Sequence, residues 1–204
     1  MSVHLSFDDG PDPIWTPRIL EALRQAALTA TFFVMAPAAR RYGHLIPSIL
    51  QDGHSVEFHC SSHIRHTDSS RHEIASDTRD GLQSLRELNV EPSLWRPPWG
   101  ILAPWTTDIA DDLGLSIALW TTDTHDWRDD SATEMLTNVE QRLAPGAVIL
   151  MHDGVGPGAT RSGCEETVAL IPQLANRLET LELETAPLSP ETAPPLEARW
   201  RDSA

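Results

Sequence analysis

Seven short apolar runs recur along the chain, and in most of the intervals between them apolar residues return at helical spacing. The runs are VHLSF from Val3, ATFFVM from Ala30, SVEF from Ser55, SLW from Ser93, LSIALW from Leu115, AVILM from Ala147 and a weaker LELE from Leu181. The helical stripes are Ile19, Leu20 and Leu23; Tyr42, Leu45, Ile46 and Ile49; Ile74, Thr78, Leu82, Leu85 and Leu88; Ala132, Met135, Leu136 and Val139; and Val168, Ile171, Leu174 and Leu178. Strands too apolar to have a wet face, alternating with amphipathic helices, build a parallel sheet covered by helices. Gly53, Gly114 and Gly146 each stand between a helical stretch and the next strand, where a glycine ends a helix. No glycine fingerprint follows any strand, so the expectation is an α/β fold of the distorted (β/α) barrel type with about seven strands, not a dinucleotide-binding sheet. Residues 1–185 are read as a single catalytic domain and residues 186–204, rich in proline and without a period, as a C-terminal strap or tail.

A chain of 204 residues, 40% of them hydrophobic, suits one domain with its own core. Thirty acidic residues against fifteen basic ones leave a formal charge of -15. That balance argues against nucleic acid and anionic membrane surfaces as partners and favours neutral or cationic substrates. No apolar run approaches the roughly 18 residues of a membrane span. The opening MSVHLSFDDG has neither the basic nor the extended apolar region of an export signal, so the expected location is cytoplasmic, with a processed secreted form as the alternative. Cys60 and Cys164 are expected as free thiols, with a single bridge left open. A monomer or small homo-oligomer is expected.

The polar residues with chemical potential gather where strands end: Asp8 and Asp9 after the first, His59 and His63 after the third, Arg96 and Trp99 after the fourth, Asp123 and Asp126 after the fifth, and His152 and Asp153 after the sixth. His59 and His63 are four apart, the spacing that sets two imidazoles on one face of a helical turn within reach of one ion. One carboxylate would complete a two-His, one-Asp set with positions left open. The adjacent Asp8 and Asp9 make sense as a pair if a cation neutralises one and the other remains free to take a proton; read only as structure, DDGPDP is a turn. Arg96, in WRPPWG, can fork onto a carboxylate and orient it. His152, after a strongly apolar run, suits a general acid whose tautomer a carboxylate such as Asp126 would hold. His4 is read as a packed or surface residue, and His44, His54 and His72 as solvated.

Five of these segments, SFDDGP, HCSSH, RPPWG, DTHDW and LMHDG, in this order and at these separations, resemble the five motifs of the polysaccharide deacetylases, the NodB-homology or carbohydrate esterase 4 family. The resemblance runs from about Val3 to Leu183. It implies a metal-dependent hydrolase that removes acetyl groups from N-acetylated, in some members O-acetylated, sugars and releases acetate. By carry-over, Asp8 is the general base, Asp9, His59 and His63 hold the metal, Arg96 orients Asp8, and His152 is the acid tuned by Asp126. The metal implied is zinc, with cobalt or nickel as alternatives. The main-chain N–H of Trp99 would help hold the oxyanion, and Trp127 and Leu150 would line the pocket for the acetyl methyl. Three positions depart from the family pattern: Cys60 follows the first histidine where Ser or Thr is usual, Ile64 follows the second where Pro is usual, and Phe58 precedes the first where Asn is common. Cys60 is expected to pack, a soft contact to the metal being the alternative. The segment from Asp153 to Thr167 is read as a lid, a substrate wall or an ordinary flexible loop. The expected substrate is a small or oligomeric acetylated sugar or a glycosylated metabolite. The other readings are a hydrolase of a cyclic or formamide-type amide using the same site, and an inactive carbohydrate-binding domain, which would lack a motif residue where this chain lacks none.

Overall fold

Strand pairing is parallel throughout the computed structural model, which describes residues 2–196. The strands are β1 (Ser2–Asp8), β2 (Ala30–Met35), β3 (Ser55–Cys60), β4 (Leu94–Trp95), β5 (Ser116–Ile117), β6 (Thr122–Asp123), β7 (Val148–His152) and β8 (Glu184–Thr185). They lie in the order β5-β4-β3-β2-β1-β7-β6, with β8 pairing onto the start of β1. No ladder joins β5 to β6, so the barrel is incomplete along that seam, which is the distortion expected of it. The helices are α1 (Trp15–Ala26), α2 (Ala36–Arg41), α3 (Ile46–Gln51), α4 (Arg71–Arg86), α5 (Thr106–Asp112), α6 (Ala132–Val139) and α7 (Glu165–Thr180). None is long and apolar enough to cross a membrane.

The two-residue period of a strand sorts the side chains into two worlds. Val3, Leu5 and Phe7 of β1, Phe32 and Val34 of β2, Val56 and Phe58 of β3, and Ile149 and Met151 of β7 point outward into one core shared with the helices. That core takes in Ile19, Leu20 and Leu23 of α1, Ile74, Leu82 and Leu85 of α4, Met135 and Val139 of α6, and Ile171, Leu174 and Leu178 of α7. The residues between them point inward: His4, Ser6 and Asp8 of β1, Glu57 and His59 of β3, Leu150 and His152 of β7. Low in the interior, Phe33, Leu94, Ala118 and Val148 form a second, small apolar cluster. Above it the inward positions are polar, and these are the strand ends that carry the candidate chemistry.

The helix stripes fall where the period places them, and Gly53, Gly114 and Gly146 take φ of 81°, 71° and 81° at the helix-to-strand turns. Three expectations need correction. LELE pairs only at its last residue: α7 extends to Thr180, the Leu181 and Leu183 amides bond back to Arg177 and Leu178, and the strand is Glu184 and Thr185. LSIALW is a strand only at Ser116 and Ile117, because the carbonyls of Ala118 and Leu119 turn inward to Arg96, and pairing resumes at Thr122. His54 is buried, not solvated, its Nδ1 accepting the Ala30 N–H at 3.1 Å.

The strap after β8 plugs the barrel interior. Ala186 donates its N–H to the Val3 carbonyl and accepts from His4 Nδ1 at 2.8 Å, and Leu188 bonds Thr31 Oγ1 at 2.8 Å. The Leu188 side chain, buried, joins Phe33, Leu94, Ala118 and Val148. Residues 197–204 of the expected strap lie outside the described residues. Leu188→Ala opens a cavity under the site and is expected to destabilise the fold by about 2–4 kcal/mol. Urea denaturation measures it; a loss under about 0.5 kcal/mol, the range of an ordinary surface change, would mean the segment is not part of the core.

Candidate active site

Three donor atoms converge at the top of the barrel. Asp9 Oδ1 lies 3.4 Å from His59 Nε2 and 3.3 Å from His63 Nε2. The tautomer of His59 follows from its other nitrogen: Nδ1 is 2.6 Å from the Arg96 carbonyl, which can only accept, so Nδ1 carries the proton and Nε2 a lone pair. That lone pair faces a carboxylate oxygen which is itself buried without a hydrogen-bond partner. Acceptors gathered in this way need a cation between them, and Asp9, His59 and His63 are the group among the described residues fit to hold one. Cys60, although adjacent to His59, is buried and outside this group. Burial pushes its thiol well above its ordinary range, so it packs as a small apolar residue.

The two histidines do not share a helical turn, as their spacing suggested. His59 lies in β3, one residue before its end, and His63 follows a bend at Ser61 and Ser62. The bend exists because Asp77 of α4 draws it in: its carboxylate accepts the N–H groups of Ser61 at 3.2 Å and Ser62 at 3.1 Å, and its carbonyl accepts the Ser61 hydroxyl at 2.8 Å. The His63 ring then meets the edge of Trp99, centroids 4.2 Å apart. Asp9 turns toward the histidines through a left-handed φ of 74°. Gly156 lies against its carboxylate, where an added Cβ would come within 1.9 Å of Oδ2.

Asp8, one residue earlier, belongs to a different set. Its Oδ1 accepts from Arg96 Nη1 at 2.8 Å, and both side chains are buried. Arg96 also donates to Ser6 Oγ at 2.8 Å and to the Ala118 carbonyl at 2.9 Å, with its guanidinium 3.9 Å above the Phe33 ring. Arg96 grips Asp8 through one nitrogen and not as a two-pronged fork, and its bonds to Ser6 and Ala118 fix the guanidinium and with it the carboxylate.

His152 closes the other flank. Its Nδ1 donates to Asp126 Oδ1 at 2.7 Å, and its main-chain N–H bonds Asp126 Oδ2 at 2.9 Å. Burial opposes a charge on this imidazole, but Asp126 beside it, with Asp9 and Asp8 further off, outweighs burial and raises its pKa to about 9. His152 therefore carries a proton at neutral pH, and Nε2 is the nitrogen left to give it away.

Asp8, Asp9, His59, His63 and His152 line one cleft of about 500 Å³ together with Trp99, Trp127, Leu150, Asp123 and residues of the segment from Gly154 to Arg161. Trp99 takes a left-handed φ of 54° inside a short 3₁₀ turn (Pro98–Gly100), and its ring is 38% exposed at the rim. Of the other residues singled out from the sequence, Arg96 and Asp126 are fully buried behind the cleft, bonded to Asp8 and His152, and Asp153 is buried with its carboxylate on the Thr16 hydroxyl. Missed were Ser6, Asp77, Arg161 and Thr167, which hold the others: Arg161 donates to Asp126 Oδ2 at 3.0 Å and Thr167 to the same oxygen at 2.8 Å. The one available signal was that Arg161 is the only arginine between Arg142 and Arg177, set in a glycine-rich stretch.

The family model for polysaccharide deacetylase matches residues 1–118. A peptidoglycan-N-acetylglucosamine deacetylase of Bacillus cereus is 31% identical over 179 residues, covering 87% of this chain and 81% of its own. A chitooligosaccharide deacetylase of Bradyrhizobium is 33% identical over 200 residues, covering 92% and 89%. The fold superposes on a family 4 carbohydrate esterase from Streptomyces lividans, solved in complex with acetate, with a TM-score of 0.85, 30% identity and coverage of 94% of this chain and 95% of that one. With five motifs in order and their side chains gathered in one cleft, the chain belongs to the polysaccharide deacetylases, the NodB-homology enzymes of carbohydrate esterase family 4.

Proposed function

We propose that the chain hydrolyses the acetamide of an N-acetylated amino sugar, free or in a short oligosaccharide, releasing acetate and a free amine. The observation that carries the reading is the set of converging acceptors Asp9, His59 and His63, flanked by a carboxylate held for proton uptake and an imidazole held for proton release. Zinc is the cation we assign to the three donors, with cobalt and nickel able to replace it. A cation bound there supplies Lewis acidity, polarising a carbonyl and acidifying water.

The remaining steps belong to side chains of this protein. Arg96 holds Asp8 in line, so the Asp8 carboxylate takes the proton of the attacking water as the C–O bond forms. The Trp99 N–H donates to the carbonyl oxygen as charge builds there. His152 Nε2 delivers its proton to the nitrogen as the C–N bond breaks, which spares the departure of an amide anion. Trp127 and Leu150 wall the space for the methyl, and the exposed Trp99 ring offers an apolar face at the rim for a sugar. The substrates named for the relatives, peptidoglycan N-acetylglucosamine and chitooligosaccharides, support a substrate built from N-acetylglucosamine.

Acetate release from N-acetylglucosamine, its short oligomers and a peptidoglycan fragment, measured before and after chelation and on adding back zinc, cobalt or nickel, tests the reading. Loss on chelation and recovery with metal are expected. Metal-loaded protein silent on every acetamide but able to open a cyclic amide would instead favour the second hydrolase reading. Asp8→Asn removes the base and is expected to lower kcat on the order of 10² or more; unchanged kcat would remove Asp8 from that role. In the pH profile, kcat should fall on the alkaline side as His152 loses its proton, because that form alone can donate. Asp126→Asn withdraws the charge that holds the proton, so this limb is expected at lower pH, and a limb left in place would contradict the pairing.

A further inference from the structure

The segment between His152 and α7 has no regular structure, yet it is built around one buried cation. Arg161 reaches back with both terminal nitrogens: Nη1 donates to Asp126 Oδ2 at 3.0 Å and to Thr167 Oγ1, and Nη2 donates to the carbonyls of His152 and Gly154, each at 3.2 Å. Thr167 in turn donates to Asp126 Oδ2 at 2.8 Å. With His152 Nδ1 on Oδ1 and the His152 N–H on Oδ2, the Asp126 carboxylate is saturated by four donors, and Arg161 is the fixed positive charge among them. The same fork pins the backbone on both sides of Asp153, where the chain starts toward Gly156 and its contact with Asp9. The wall of the cleft from Gly154 to Ala159 hangs from this point.

We propose that Arg161 is a positioning residue for the acid step: it holds Asp126 ionised and aimed at His152, tempers the proton affinity of His152, and anchors the glycine-rich wall of the cleft. The inference rests on His152 being the acid. His152 faces Asp126 and Asp123 from the β6 side, Asp8 and Asp9 from the end of β1, and Arg161 from its own loop. Asp8 is already paired with Arg96 and Asp9 faces the cation site, which leaves Asp126, bonded directly to the imidazole, as the carboxylate that would hold its proton too tightly without a counter-charge. Arg161 supplies that counter-charge on the far side of Asp126. Its role is thus opposite in sign to that of Asp126, which a purely structural arginine would not show.

The test compares zinc-loaded wild type, Arg161→Gln and Arg161→Lys by the pH dependence of kcat and by the titration of His152 in histidine-labelled protein followed by NMR. Gln retains donors but loses the charge; its His152 midpoint and the alkaline limb of kcat are expected to rise by about one pH unit, with kcat reduced about ten-fold. Lys keeps the charge but not the fork; its midpoint is expected to stay at the wild-type value while KM rises several-fold through the loosened wall. A midpoint that stays or falls in the Gln variant overturns the electrostatic role, and a wild-type KM in the Lys variant overturns the anchoring role. If Arg161→Gln does not fold, Thr167→Val takes its place. It removes a neutral donor from the same oxygen and is expected to raise the midpoint by a smaller amount, with no rise overturning the role. The NMR titration is readable in a protein with no acetamide hydrolysis at all, so failure of this inference and failure of the proposed function are separate results.

Discussion

The buried pair of Arg96 and Asp8 is the contact on which the rest of the molecule depends. Arg96 lies at the end of β4, beside the seam where the sheet fails to close, and its guanidinium takes the Ala118 carbonyl that would otherwise be left over there. The same group fixes Asp8 and Ser6 of the central strand, and the Arg96 main-chain carbonyl fixes His59 in the tautomer with a free lone pair. One residue therefore joins an open edge, a proton acceptor and a cation ligand. Removing either partner would strand a charge in the interior at a cost of about 3–5 kcal/mol, so the pair specifies the arrangement as much as it serves the chemistry.

From that contact the division between Asp8 and Asp9 follows. Successive residues in a strand point to opposite faces, and Asp8, still in register with Phe33 and His152, points inward. Asp9 has left the strand, takes a left-handed backbone conformation and swings its carboxylate to the two histidines. Two adjacent like charges are tolerable because one is neutralised by an arginine and the other faces a site made for a cation. The apolar lower interior, sealed by Leu188, and the polar upper interior are products of the same alternation.

Much of this was legible in the sequence for definite reasons. The helix stripes and long strands were visible because periodic burial leaves a periodic pattern, and the motif residues because each follows a strand. β6 was not visible: two residues, Thr122 and Asp123, carry no period. The position of His63 was misjudged because a spacing of four suits a helix as well as a bend, and the bend is drawn by Asp77, a residue of the following helix. Arg161 and Thr167 escaped notice for the same reason, since they act on Asp126 from 35 and 41 positions away. Sequence spacing marks the groups that do chemistry at strand ends; the groups that aim them come from elsewhere in the chain.

The central claim is that two neighbouring carboxylates do different work, Asp9 on the cation and Asp8 with Arg96. Cobalt(II) titration of Asp8→Asn and Asp9→Asn, followed by the visible absorption of the bound ion, separates them directly. The account predicts a wild-type spectrum and affinity within a few-fold for Asp8→Asn, and loss of at least ten-fold in affinity with an altered spectrum for Asp9→Asn. Equal losses in both variants, or a greater loss in Asp8→Asn, would contradict it.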